Sequence, residues 1–379
     1  MNYLHFIPLI HFLQTNNGRG RGDASTLQSN GSPLRSNFIH QTGWYIIEDM
    51  HSFQQTESIV SNPHIRRVDV RRDLDEIASL IETCFAETLD EDGQAYVRQI
   101  RKSAENARRL GWVADLAEEN SMPVRGFIWE QDGRIIGNLT LIPLRKHGKP
   151  VNLVANVSVL PQYRRLGIAK QLTQVALAHV QHKQGGRVWL QVRDDNAAAE
   201  MLYRKLGFME RARRTTWHHY AEDPKPKPLT DMQIYPCGMT DWHTVLNFLQ
   251  NIHPDTVSWN LQVNFQKFKP GLLTRFTGFL PGDTHRSWVL RKDGQLLGTL
   301  CWEASRTWAD NLWLGCPLEN IEVTLQHLLP FILNNMNRSQ PQSINFPAGL
   351  AEEVFGQYGF KKHYTLIWME LEVPSLNPV

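Results

Sequence analysis

The chain has 379 residues, more than one ordinary domain needs, so two domains are expected. Hydrophobic residues make up 41% and charged residues 21%, and the formal net charge of +2 gives no basic surplus for a broad nucleic-acid face. Cys84, Cys237, Cys301 and Cys316 form no CxxC pair, no HExxH occurs, and no apolar run is long enough to span a membrane. A disulfide framework, a zinc centre and a membrane anchor are therefore not expected, and a reducing, cytoplasmic compartment is.

The first apolar run, "MNYLHFIPLIHFLQ", lacks a basic start, and no small-residue cleavage site follows it, so it does not read as a signal peptide. Residues 15–64 are rich in Asn, Ser, Gly and Gln without periodicity, which predicts a disordered extension over 1–64. Residues 1–49 read equally as an extension upstream of Met50 or as a native tail. Arg21–Asp23 reads as a chance RGD.

Ordered elements begin at Ile65. "IRRVDV" predicts a strand. Asp73 is expected to cap a helix in which Leu74, Ile77, Ile81 and Phe85 recur at helical spacing. "GQAYVRQIRKSAENARRL" predicts a second helix. The acidic loop before it, Glu87 to Gly93, reads as a solvated helix start, with a border to a cationic substrate as the alternative. Two apolar runs around Asp132-Gly133 predict a hairpin. "VNLVANVSVL" and "RVWLQV" predict strands, "NAAAEMLYRKLGF" a helix closed at Gly207, and "RRTTWHHY" a final strand.

"EDPKPKPLTD", residues 222–231, alternates proline with charge and predicts a stiff linker. Beyond it the pattern repeats. "MQIYPCGMTDWHTVLNFLQNI" reproduces the first strand and helix, with Asp241 as the cap. "RSWVLRKDGQLLGTLCWE" reproduces the hairpin, and Tyr358-Gly359-Phe360 stands where Leu206-Gly207-Phe208 stood. Two copies of one fold are expected, over 65–221 and 232–373.

One stretch of the first copy carries chemistry. "QYRRLGIAKQL", Gln162 to Leu172, places two arginines and a glycine between a strand and a helix. Backbone N–H groups at a helix start have no intrahelical partner and carry partial positive charge. A phosphate bound there receives several hydrogen bonds at once, and glycine lets the backbone approach it. Neither GxxxxGK[ST] nor GxGxxG is present to suggest another kind of phosphate loop.

Arg164-x-x-Gly167-x-Ala169 resembles the acetyl-CoA signature of the GNAT acetyltransferase superfamily, after the fourth strand and at the start of the third helix. "DNAAAEMLYRKLGF" resembles the family's next conserved block. The resemblance covers about residues 65–220. It implies the mixed-sheet α/β acyl-CoA N-acyltransferase (GNAT) fold, here in two tandem copies, with acetyl-CoA as co-substrate and an amine as acceptor. On the matched positions, Val157 and Val159 would offer backbone hydrogen bonds to the pantetheine arm where the fourth and fifth strands splay apart. Arg164, Arg165, Gly167, Ile168, Ala169 and Lys170 would hold the pyrophosphate. Asn196 would bond the pantetheine, with a plain helix N-cap as the alternative. Tyr203 would protonate the leaving thiolate, with packing on the sheet as the alternative. Many relatives carry a basic Glu near the start of the fourth strand. Leu153 stands there, and residues 151–159 contain no ionisable group.

The second copy departs from the signature. "NLWLGCPLENIEVTLQHL" puts Glu319 and Glu322 near the expected phosphate, and Phe355 replaces Tyr203. Like charge would repel a pyrophosphate, so this copy is expected to be degenerate. The functional expectation is an acetyl-CoA-dependent N-acetyltransferase active in the first copy, with a non-catalytic acyl-CoA sensor or scaffold as the alternative.

Overall fold

Both Asp-Gly pairs adopt the left-handed backbone that a tight hairpin requires: Asp132 and Gly133 at φ 53° and 73°, Asp293 and Gly294 at 50° and 81°. The same turn thus recurs in both halves of the chain. The structure, a computed structural model, describes residues 62–110, 125–146, 149–183, 185–261, 263–271, 284–305, 308–336 and 339–376. The expectations for residues 1–61 fall outside that set.

The described residues gather into two compact units. The first comprises the chain up to Val192, Asn196–Met209 and Met369–Val379; the second comprises Arg193–Asp195 and Glu210–Trp368. The division does not fall at the proline linker. The strand that ends the first repeat belongs to the second unit, and the end of the last strand belongs to the first. Residues 222–231 also belong to the second unit. The carbonyl of Pro226 accepts from Asn334 Nδ2 at 2.6 Å, and Asp231 Oδ1 lies 2.9 Å from His327 Nε2.

In the first unit, β1 (Ile65–Arg67), β2 (Gly126–Gln131), β3 (Arg134–Lys146) and β4 (Lys149–Val159) run antiparallel in that order. β5 (Gly186–Arg193) adds parallel to β4, and the end of β12 (Lys361–Val373) follows β5. The helices are α1 (Leu74–Phe85), α2 (Glu91–Leu110), α3 (Ile168–Lys183) and α4 (Ala197–Lys205). α1 buries Leu74, Ile77, Ile81 and Phe85, the residues whose spacing predicted it. α3 packs so closely on β3 that a Cβ at Gly137 would stand 2.9 Å from Ile168.

The second unit repeats the plan with β7 (Gln233–Pro236), β8 (His285–Lys292), β9 (Gln295–Glu303), β10 (Asp310–Gly315) and β11 (Gln342–Pro347). β11 runs parallel to β10 and antiparallel to β6 (Met209–His219). Its helices are α5 (Trp242–Ile252), α6 (Asp255–Leu261), α7 (Ile321–Asn335) and α8 (Glu352–Gln357). Thr324 of α7 meets Gly298 of β9, where a Cβ would stand 2.4 Å away, matching the approach of α3 to Gly137. The core includes Trp288, Trp302, Ile344, Phe346, Phe355 and Phe360.

Two expected caps are corrected. Asp73 and Asp241 both stand at helix N-caps, yet neither side chain bonds its helix. Asp73 instead accepts from Arg66 and from the Asp69 N–H, and Asp241 accepts from Arg291 and the Gly238 N–H. An arginine offers a charge-assisted bond that outcompetes the helix N–H for the same carboxylate. The same choice in both copies marks it as part of the repeated fold.

Candidate active site

The register between β4 and β5 covers Val151–Leu153 against Arg187–Trp189, although β4 runs on to Val159 and β5 to Arg193. From Val154 onward the two strands are no longer in register. This is the splay expected beside Val157 and Val159, both buried on the strand.

At the end of β4 a short 3-10 turn, Pro161–Tyr163, leads to Arg164 in extended backbone. Arg165 at φ 68° and Gly167 at φ 80° then take left-handed conformations before α3 begins. Left-handed residues within a turn direct successive N–H groups to one side, the kind of concavity that binds anions. An ideal Cβ on Gly167 would find nothing closer than Gln171 Nε2 at 3.9 Å, so the surface over the turn is open. Arg165 and Lys170 are exposed, Ala169 is half-buried at the helix start, and Ile168 is buried as the first helical anchor. No acidic residue stands in the first turn of α3. Arg164 also ties the turn to the strand end, because its Nε donates to the Val159 carbonyl at 3.1 Å. It lies beside Cys84, whose thiol burial pushes up while Arg164 opposes the shift.

Asn196 sits at the start of α4, buried. Its Oδ1 accepts from the Ala199 N–H at 3.1 Å, so the cap is real. Its Nδ2, also buried, has no hydrogen-bond partner among the described residues. Cap and cofactor contact therefore do not compete, because they use different atoms of one amide. A buried amide donor without a partner costs about 1–3 kcal/mol, a cost that a bound carbonyl would offset.

Tyr203 faces the same core. It is fully buried, and its ring meets Phe208 edge-on at 5.8 Å. Gly207 at φ 94° closes the helix behind it, with the Phe208 N–H on the Tyr203 carbonyl at 3.0 Å. Burial raises the Tyr203 phenol above its ordinary value, so it stays protonated at physiological pH. The packing given as the alternative for Tyr203 is present, and its hydroxyl role stays a proposal.

Leu153, near the start of β4, is buried. In the acidic loop, Asp90 caps α2 through the Gly93 N–H at 2.8 Å, as a helix start would. Sequence reasoning missed a buried polar cluster beside Val157. β3 and β4 change register between Asn138 and Thr140, and Asn156 takes a left-handed φ of 49°. Asn156 Nδ2 donates to the Tyr96 hydroxyl at 2.5 Å, and Asn138 Nδ2 to the Asn156 carbonyl at 3.0 Å. The Oδ1 atoms of both asparagines and the Oγ of Ser158 are buried with no partner among the described residues. The signal was available: Asn156 and Ser158 interrupt the apolar run from Leu153 to Val159.

The second unit keeps the splay but fills it. Register between β10 and β11 likewise covers only Asp310–Leu312 against Gln342–Ile344. Beyond it, Arg214 of β6 donates to the Asn345 side chain and carbonyl, to the Ile252 carbonyl at 2.9 Å, and to His253 Nδ1 at 2.9 Å. His253 Nε2 in turn lies 3.2 Å from the Leu314 carbonyl. The chain's own side chains thus link β10 to β11 where the first unit leaves its strands apart. Burial pulls Arg214 down to about 9 and His253 well below its ordinary value, so the arginine is charged and the histidine neutral at pH 7. α7 carries Glu322 in its first turn, and Glu319 precedes it. Phe355 lies in an aromatic core against Trp217, Phe346 and Phe360.

Residues 75–208 match the family model for the acetyltransferase (GNAT) family. The chain carries a GNAT acetyltransferase domain. An N-alpha-acetyltransferase of Sulfurisphaera tokodaii is 36% identical over 109 residues, which are 25% of this chain and 62% of that protein. A mycothiol acetyltransferase of Saccharomonospora viridis is 37% identical over 111 residues, 28% of this chain and 34% of that protein. The matches thus span less than two thirds of either relative. A GCN5-related N-acetyltransferase from Sphaerobacter thermophilus superposes with a TM-score of 0.52 at 13% identity, covering 84% of this chain and 99% of that one. At that identity the likeness concerns the fold, and it extends beyond the GNAT match. Among the described residues no helix is long and apolar enough to cross a membrane, and no group of three or more His, Cys, Asp or Glu could hold a metal ion.

Proposed function

We propose that residues 65–221 form an N-acetyltransferase that moves an acetyl group from acetyl-CoA to an amine, with one cofactor site per chain. The observation that carries this reading is the left-handed turn at Arg165 and Gly167, which opens α3 at the end of a strand splayed from its parallel neighbour. Acetyl-CoA would supply the activated acetyl group. The residues present suit it: an open nest with Arg165 and Lys170 for the pyrophosphate, backbone groups of Val157 and Val159 for the pantetheine, and the unpartnered Asn196 Nδ2 for a carbonyl.

Tyr203 holds a proton that burial keeps in place, so its hydroxyl is a donor throughout the physiological range. The same burial makes it a weaker acid, which favours hydrogen bonding to developing negative charge over complete proton transfer. The neighbourhood of Val157 offers uncharged acceptors in Asn138, Asn156 and Ser158, which suit an N–H donor without favouring an ammonium as a carboxylate would. This fits an amine that arrives neutral, consistent with the lack of an ionisable group on residues 151–159.

Two measurements test this reading. Thiol release from acetyl-CoA with a panel of primary amines should exceed release without amine. Tyr203→Phe keeps the ring and should lower kcat roughly tenfold to a thousandfold, the usual worth of one donor in the transition state, while KM for acetyl-CoA barely moves. Full activity of Tyr203→Phe under rate-limiting chemistry would remove the hydroxyl from the mechanism.

A further inference from the structure

Gln171 stands one turn into α3, and its backbone N–H donates to the Gly167 carbonyl at 3.0 Å. Its side chain borders the open surface over the Gly167 turn, because Nε2 lies 3.9 Å from where a Cβ on Gly167 would stand. Gln171 and Asn62, the residue that bonds its amide, are both half-buried, and both belong to the first unit.

Asn62 decides which end of that amide faces the turn. Its Oδ1 accepts from the His64 N–H at 3.0 Å, and its carbonyl accepts from the Ile65 N–H at 3.0 Å. A backbone N–H can only donate, so the first of these bonds assigns the oxygen and the nitrogen of the Asn62 amide. Nδ2 is then the end that reaches Gln171, donating to Oε1 at 2.7 Å. With Oε1 taken, Gln171 presents Nε2, a donor, to the turn. His64 is held in its turn by β2. Its ring stacks on Trp129 at 5.4 Å with an interplanar angle of 6°, its Nδ1 lies 3.0 Å from the Glu130 carbonyl, and its own carbonyl accepts from the Glu130 N–H at 2.8 Å. A chain of assigned bonds thus runs from β2 through His64 and Asn62 to the start of α3.

We propose that Gln171 is a further cofactor-binding residue, its amide donating to the pyrophosphate of CoA over the Gly167 turn, and that Asn62 is a positioning residue that acts through it. An amide held in its binding orientation loses little freedom when the ligand arrives. The inference rests on the reading that this turn binds the pyrophosphate.

The test is calorimetry on the full chain with CoA and with dephospho-CoA, which lacks the 3′-phosphate but keeps the pyrophosphate. Gln171→Met keeps the length of the side chain and removes its donors. It should weaken both ligands by the same factor, about tenfold, the worth of one hydrogen bond to a charged group. Asn62→Ala frees the Gln171 amide to turn either end toward the ligand, and should weaken both about threefold. Added to Gln171→Met, it should cost no further affinity. Gln171→Lys carries only donors and needs no partner to orient it, so it should bind both ligands at least as tightly as the wild type, with or without Asn62→Ala. Wild-type affinity in Gln171→Met, a loss confined to CoA, additive losses in the double variant, or a Gln171→Lys chain that Asn62→Ala still weakens would overturn the proposal. A wild-type chain that binds neither ligand would instead refute the functional reading on which it rests.

Discussion

Gly167→Glu should abolish measurable CoA binding. Gly167 is left-handed at the start of α3, where N–H groups lack intrahelical partners, and a new Cβ would find only Gln171 Nε2, at 3.9 Å. The glutamate's Cβ meets no clash in the free protein, and its carboxylate stands where the pyrophosphate would bind. Lost hydrogen bonds and like-charge repulsion together should weaken binding roughly hundredfold or more, about 3 kcal/mol. The left-handed backbone itself costs a non-glycine residue on the order of 1 kcal/mol. Gly167→Asn separates the two effects, because asparagine tolerates this conformation and adds no charge. It should retain CoA affinity within about tenfold, since only a small neutral side chain is added. Equal loss in both variants would point to backbone strain rather than to an anion site.

Arg214→Met should destabilise the second unit by about 3–5 kcal/mol in urea unfolding, the usual cost of breaking a buried charged network. The variant removes the arginine's donor interactions and leaves the Ile252 and Asn345 carbonyls, the Asn345 side chain and His253 Nδ1 without that partner. Arg214→Lys keeps the charge but cannot fork to both sides, and its stability should fall between those of Arg214→Met and the wild type. A loss under about 1 kcal/mol would mean that the bonds across this splay carry little net stability.

The sequence disclosed most of what repeats. Asp132-Gly133 and Asp293-Gly294 announced their hairpins, Gly207 and Gly359 their helix ends, and Arg164-x-x-Gly167-x-Ala169 its turn, because each depends on a few adjacent residues. It disclosed less where distant groups compete. Asp73 and Asp241 look like caps in one dimension, but arginines brought in by other strands claim their carboxylates. Asn196 looked like either a cap or a ligand, and only its two separate amide atoms allow both. The departure of the second copy from the cofactor signature was legible in Glu319, Glu322 and Phe355. That Arg214 and His253 bridge the second splay was not, since they come from the end of the first repeat and the end of α5. The grouping of residues 210–231 with the second unit was hidden for the same reason: a proline linker marks a change in composition, not where strands pair.

A structure of the chain with CoA tests the central claim most directly. One CoA per chain is expected, its pyrophosphate on the N–H groups at the start of α3, its pantetheine arm between β4 and β5, and a hydrogen bond from Asn196 Nδ2. CoA between β10 and β11, or a pyrophosphate away from the Gly167 turn, would contradict it.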